Sequence, residues 1–257
     1  MAWGVRIRAA ARAAALHFAL SLLVAGAVAW LVFTVWYPAP FHEITGGRDL
    51  FLILMVVDVV CGPVLTLVLY NPAKPRVKWR VDLALIVLTQ LGALAYGLAQ
   101  VASARPVFVA FEGDRFRVVQ AFDVDPTQLA LAPAGLGQLG YAGPRPLGVH
   151  LARSGDADFL QSVQLAAQGL HPGFRPSRWR PFEEQLPALQ EQLRSLAELR
   201  AKNPRQQAEI DAAVKQLGLG EEDVGYLPLV REEITDWVVL VQRSNGLPRA
   251  YLHFDGW

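Results

Sequence analysis

The stretch VVDVVCGPVLTLVLYNP, Val56–Pro72, belongs to an apolar run from Leu50 to Tyr70 that holds an aspartate, Asp58, and a proline, Pro63, near its middle. At 1.5 Å per helical residue, about 20 residues cross the roughly 30 Å of hydrocarbon in a bilayer. Two further runs are as long, Ala13–Trp36 and Leu83–Val101, and neither holds a Lys, Arg, Asp or Glu. Of the 257 residues 53% are hydrophobic, more than an ordinary soluble protein carries, and the excess lies at the front. After Arg105 the composition is that of a water-soluble domain. The sequence therefore predicts a membrane domain over 1–104, with spans at about 13–36, 50–70 and 83–101, and a second domain over 105–257.

Charge divides the same way. Residues 1–104 carry eight Lys/Arg against four Asp/Glu, and residues 105–257 carry sixteen against nineteen. No basic groove or stripe is visible, which argues against nucleic acid as a partner. Arg6, Arg8 and Arg12 precede the first span, and Lys74, Arg76, Lys78 and Arg80 crowd the loop between the second and third. Both clusters belong in the cytoplasm, so the N-terminus is expected inside and the C-terminal domain in the periplasm of a bacterium, on an inner-membrane protein. The apolar run continues past Ala27–Ala29 through WLVFTVW, which favours an uncleaved anchor over a signal peptide. Cys61, the only cysteine, lies within a span, so no disulfide or cysteine-based site is expected beyond the membrane.

Within the spans, Ser21, Ala25 and Ala29 recur every four residues and allow close helix approach, read first as packing inside the same chain. Trp36 and Tyr37 fall where an aromatic belt belongs, and Pro38 and Pro40 stop the helix. Gly46–Gly47 turn the chain back. Pro63 has no N–H to give the carbonyl of Val59, and Asp58 and Gly62 stand one turn apart on one face, which together make a small polar notch. An acid in the middle of a membrane helix costs about 2.5–3.5 kcal/mol on insertion scales, so it must be paired, protonated or facing something polar. Two readings stay open: a bond inside the bundle to Thr89, Gln90 or Tyr96, or a polar group brought by another protein's helix. Asp82, beside Lys78 and Arg80, reads as an interfacial ion pair that His17 could join.

The second domain reads as α+β with a small antiparallel sheet. RPVFVAFEGDRFRVVQ gives two strands around a turn at Glu112–Asp114, and DWVVLVQRSNGLPRAYLHF gives a hairpin around Ser244–Gly246, with strands Asp236–Gln242 and Arg249–Phe254. Asp125-Pro126 starts a short helix, Ala134–Gly148 is a loop, and the segment after Gly155 is a helix bearing Leu160, Val163 and Ala167. Leu186, Leu189, Leu193, Leu196 and Leu199 form a stripe on the first arm of a helical hairpin. Ile210, Val214 and Leu217 lie on the second, ended by Gly218. The stripe is read as core ahead of a partner seam.

Chemistry is sparse. His17, His42, His150, His171 and His253 show no metal-ligand spacing, and no phosphate-binding or nucleophile-elbow motif occurs. Arg175, Arg178 and Arg180, with Phe174 and Trp179, read as a loop packed by its aromatics ahead of an anion site, and GEEDVG reads as a turn. No enzyme activity, metal, cofactor or small-molecule substrate is expected.

Taken in order, Val35–Pro38, Gly46–Leu50, Asp58 with Gly62 and Pro63, Asn71–Pro72, Asp82–Leu83, Gln90 and Ala104–Pro106 resemble the TfpX/TfpZ family of type IV pilin accessory proteins. The likeness runs through about residue 120, with Tyr226–Leu229 and the aromatic C-terminus as looser points. It implies a non-catalytic helper, a chaperone or assembly modulator, whose partners are a type IV major pilin and membrane lipid. Such pilins wait in the inner membrane as single helices with an amine and an early glutamate at the start. The resemblance makes Asp58, Gly62, Pro63, Asp82, Gln90, Trp36 and Tyr37 the expected partner-binding residues. The competing expectation is a membrane-anchored regulator whose periplasmic domain senses a ligand.

Overall fold

The computed structural model describes residues 2–257 and separates into two compact units, Met1–Ala104 and Arg105–Trp257. In the first, α1 (Ala2–Leu31) runs on through a π-helical turn, Val32–Trp36. A single-turn α2 (Phe41–Ile44) leads to Gly46, whose left-handed backbone (φ 68°) opens α3 (Gly47–Leu69), and α4 (Arg76–Ser103) follows. Three of these helices, Trp3–Trp36, Gly47–Leu69 and Arg76–Ser103, are long and apolar enough to cross a membrane. α3 is the middle member and packs on both α1 and α4. Their shared core is Val32, Tyr37, Phe51, Met55, Leu94 and Val101, with Phe33 edge-on to Phe51 at 4.9 Å between ring centroids. Ala25 and Ala29 pack against this core, so much of the small-residue stripe on α1 serves contacts within the unit. Leu16, Leu23, Ile53, Val68 and Leu88 point outward and are exposed, the surface expected of helices facing hydrocarbon.

The second unit carries one seven-stranded sheet in the order β4-β3-β1-β2-β5-β6-β7. Its strands are β1 (Pro106–Phe111), β2 (Phe116–Gln120), β3 (Arg145–Val149), β4 (Trp179–Arg180), β5 (Val224–Arg231), β6 (Ile234–Gln242) and β7 (Pro248–Leu252). The sheet is mixed, which corrects the antiparallel expectation: β1 pairs with β3 and β2 with β5 in parallel. Both parallel joins link strands far apart in sequence. All of β3 but Val149 falls in the stretch read as a loop, since Pro146 and Gly148 disguise it. Gly148 is needed there, because a Cβ would stand 2.8 Å from the carbonyl oxygen of Pro181 and 3.0 Å from that of Arg180.

The helical hairpin is also corrected. Between α5 (Phe159–Ala167) and β5 lie three short α-helices, α6 (Leu186–Gln192), α7 (Leu196–Lys202) and α8 (Gln207–Leu217). The chain extends at Leu193, and Arg194 exchanges both backbone hydrogen bonds with Tyr226, N···O 3.1 Å each way. Leu189, Leu193, Leu196 and Leu199 are nonetheless buried. Leu196 and Leu199 join Ile210, Val214, Tyr226, Val238 and Leu240 in one core cluster, while Phe108, Val119, Leu147, Val149 and Trp179 form another.

Charge is buried as well. Arg117 Nε donates to Glu112 at 2.8 Å with both side chains inside, and the other Glu112 oxygen accepts the Gly173 N–H at 2.8 Å. His171 stands close by. Loss of solvent, and then the positive charge of Arg117, hold its imidazole pKa below the usual value.

Leu199→Ala, at a fully buried position, is expected to lower the stability of the full chain in detergent by about 2–5 kcal/mol in urea unfolding. Leu160→Ala, at a side chain 79% exposed, is expected to change it by at most about 0.5 kcal/mol. Folding favours neutral His171, and the unfolded chain takes up the proton near pH 6.5. The stability this group contributes is therefore present above that pH and lost as pH falls through it. His171→Gln should flatten the slope of unfolding midpoint against pH between 7.5 and 5.5, and an unchanged slope contradicts the assignment.

Candidate functional site

Polar side chains from all three long helices meet in the middle of the first unit. Asp58 lies eleven residues from either end of α3. Gln90 of α4 donates from Nε2 to the backbone carbonyl of Asp58 at 3.0 Å. This is the carbonyl one residue before the one that Pro63 was expected to free. Gly62 makes room for the donor, since a Cβ there would stand 2.0 Å from Gln90 Nε2. On the α1 side, His17 Nδ1 and Thr66 Oγ1 are 2.7 Å apart.

The Asp58 carboxyl is left over. Asp58 is 9% exposed, and its buried Oδ1 has no hydrogen-bond partner among the described residues. Gln90 thus answers the backbone and not the carboxyl, and Tyr96 points outward, exposed. Asp58 floors a groove of about 100 Å³ over α3, walled by His17, Leu20, Ser21 and Val24 of α1 and by Val87, Gln90, Leu91 and Leu94 of α4. A second hollow of about 150 Å³ lies between α3 and α4, lined by Asp58 and Gln90 together with Leu54, Val57, Cys61, Leu65, Ile86 and Thr89.

The other expected residues are placed differently. Gly62 and Pro63 are buried within the unit and offer no open notch. Asp82 pairs with Lys74 and not with Lys78 or Arg80, because the loop folds Lys74 back over the start of α4, and His17 sits with Thr66 instead. Tyr37 is no belt residue: it is fully buried and its hydroxyl donates to the Val101 carbonyl at 2.7 Å. Trp36, half-buried, ends the π-helical turn. Sequence reasoning missed Thr66 and the groove walls, since a helix apolar on every side has no periodicity to mark its protein-facing side.

In the second unit the arginine-rich loop is knit internally. Arg178 pairs with Asp158, Arg175 donates to Ser162 Oγ at 2.8 Å, and Trp179 Nε1 donates to the Gly173 carbonyl at 2.8 Å. An open cleft of about 600 Å³ lies between the β1–β2 turn and α6, with Asp114, His150, Arg153 and Glu191 at its rim. Glu221, in the acidic turn, pairs with Arg200. Among the described residues no group of three or more His, Cys, Asp or Glu converges as a metal site would.

Comparison with known proteins is specific. Residues 5–46 match the family model described as fimbrial assembly protein FimB. The chain is 34% identical over 242 residues to the serogroup I fimbrial assembly protein of Dichelobacter nodosus, covering 94% of each chain, and likewise to the serogroup E1 protein. It is 44% identical over 115 residues to the serogroup C1 and C2 protein, which covers 45% of this chain and 88% of that one. No solved structure matches. The chain belongs to the fimbrial assembly protein family.

The Gln90–Gly62 fit is testable by a double-mutant cycle. Gly62→Ala alone should lower the melting temperature in detergent by several degrees, because the added methyl displaces the amide. Gly62→Ala with Gln90→Ala should recover most of that loss, and additive losses would show that the two residues do not share the space.

Proposed function

We propose that this protein is an inner-membrane accessory protein, a chaperone or assembly modulator, that holds a type IV major pilin through its membrane helix and through the C-terminal domain. The observation that carries this reading is kinship to fimbrial assembly proteins along 94% of the chain. The TfpX/TfpZ resemblance over the first part of the chain supports the major pilin as that partner. The three apolar helices supply the place where a pilin helix waits before assembly, and the basic clusters around Arg6–Arg12 and Lys74–Arg80 orient the C-terminal domain toward the periplasm. The function proposed is binding, with no catalytic step.

Ligand sensing is favoured by one feature, the open cleft bounded by Asp114, His150, Arg153 and Glu191, whose volume suits a small molecule. A tagged chain purified from its own cells in mild detergent distinguishes the two. Major pilin should copurify, and deletion of the gene should change surface piliation without changing pilin transcription. A chain that retains no pilin, with a deletion that changes pilin transcription instead, would favour the sensor.

A further inference from the structure

We infer that the groove between α1 and α4 seats a single membrane helix of the partner, and that this helix carries a hydrogen-bond donor about half-way along its length. The inference rests on the pilin reading and adds where on this chain the helix sits and what chemistry it must bring.

Three observations lead there. First, the groove walls offer apolar side chains left exposed, Leu20 and Val24 on one side and Val87 and Leu91 on the other. Because α3 packs against both neighbours and forms the floor, a helix laid in the groove touches α1 and α4 at once and completes a four-helix arrangement. Second, the floor is Asp58, nine-tenths buried, with an oxygen that has no hydrogen-bond partner among the described residues. Two neighbouring donors bond elsewhere, Gln90 Nε2 with the Asp58 carbonyl and His17 Nδ1 with Thr66. A carboxyl keeps an acceptor oxygen whether or not it is protonated, and the terminal torsion of aspartate is soft enough to turn either oxygen toward the groove. A lipid chain could cover the apolar walls, but it brings no donor. A helix with a hydroxyl, amide or amine facing inward covers the walls and answers the carboxyl together. Third, Asp58 is centred in α3, eleven residues from each end, which sets the donor near the middle of a spanning helix. Ser21 and His17 make the α1 wall polar at this groove, while the hollow on the Cys61 side has only Thr89 besides the shared Asp58 and Gln90.

The experiment is photo-crosslinking in living cells that express the pilin, using the full-length protein with a photoreactive residue at Leu20, Leu91, Leu65 or Leu160 in turn. Pilin adducts are expected from Leu20 and Leu91 and not from Leu65, and mass spectrometry should map them to the middle of the pilin's membrane helix. Asp58→Leu should reduce these adducts roughly three- to tenfold, the range of one interhelical hydrogen bond in a membrane. Asp58→Asn, which keeps an acceptor, should retain more of them. Leu91→Trp fills the groove from outside without touching the buried carboxyl, so its loss of adducts at normal abundance supports the same seat should Asp58→Leu fail to accumulate. Equal adducts from Leu65 and Leu20, or full crosslinking by an abundant Asp58→Leu protein, overturn the groove assignment. Pilin adducts from Leu160 alone overturn it while leaving the pilin reading intact. No pilin adduct from any position removes the pilin reading itself.

Discussion

The contact on which the helical unit turns is the one between Gln90 and the backbone of α3. Pro63 has no N–H to give the Val59 carbonyl, and the contact lies one residue earlier, on the carbonyl of Asp58. Gln90 reaches across from α4 to the Asp58 carbonyl, and it fits only because residue 62 lacks a side chain. That contact fixes the depth of α4 against α3. At the other end Tyr37, just past the π-helical turn that ends the first long helix, holds the Val101 carbonyl near the end of α4 through its hydroxyl. With α4 pinned at two levels and α1 held by His17 and Thr66, α3 becomes a shared spine. The groove over it follows from that arrangement, and so does the stranded carboxyl at its floor.

What was legible in the sequence was local. Asp58, Gly62 and Gln90 stand out because a charge, a missing side chain and an amide in apolar helices each need a reason. The hairpins β1–β2 and β6–β7 carry their turn residues with them, and α8 carries its stop at Gly218, whose φ of 65° suits glycine. The parallel pairings of β1 with β3 and β2 with β5 have no such local mark. Nor does the break at Leu193, where the leucine spacing runs on unbroken while the backbone leaves the helix to pair with Tyr226. Tyr37 was misplaced for a related reason: an aromatic next to Pro38 looks the same in sequence whether it faces lipid or fills the bundle.

The second unit shows a different use of buried polarity. Glu112 and Arg117 answer each other inside, and the spare carboxylate oxygen ties the hairpin to the turn at Gly173. Arg231 reaches Gln120 at 2.6 Å and Asp123 at 3.3 Å, linking the end of β5 to the end of β2 beyond a parallel pairing that spans only two residues at the start of β2. Burial outweighs the neighbouring guanidinium and raises the Asp123 pKa above the ordinary value. These side-chain links hold together a sheet whose central join is short. Its outer edges are blunted by a two-residue β4 and by Pro248 at the start of β7, which limits adventitious strand addition. Contacts made by such a domain are then more naturally surface contacts than an added strand.

On the proposed reading the two units divide the work of recognition by solvent. In water a polar contact is cheaply replaced, so a soluble surface discriminates by shape and by many weak contacts. Among apolar helices the alternative to a made hydrogen bond is an orphaned group, and helix association otherwise depends on packing that many apolar sequences satisfy. One carboxyl at mid-depth then separates helices that carry a matching donor from those that do not, at little cost in packing. Specificity is the difference between the right and wrong occupant, and here it arises chiefly by penalising the wrong one. In the proposed seat the groove walls would hold any helix of suitable shape, and the Asp58 carboxyl would decide which helices stay.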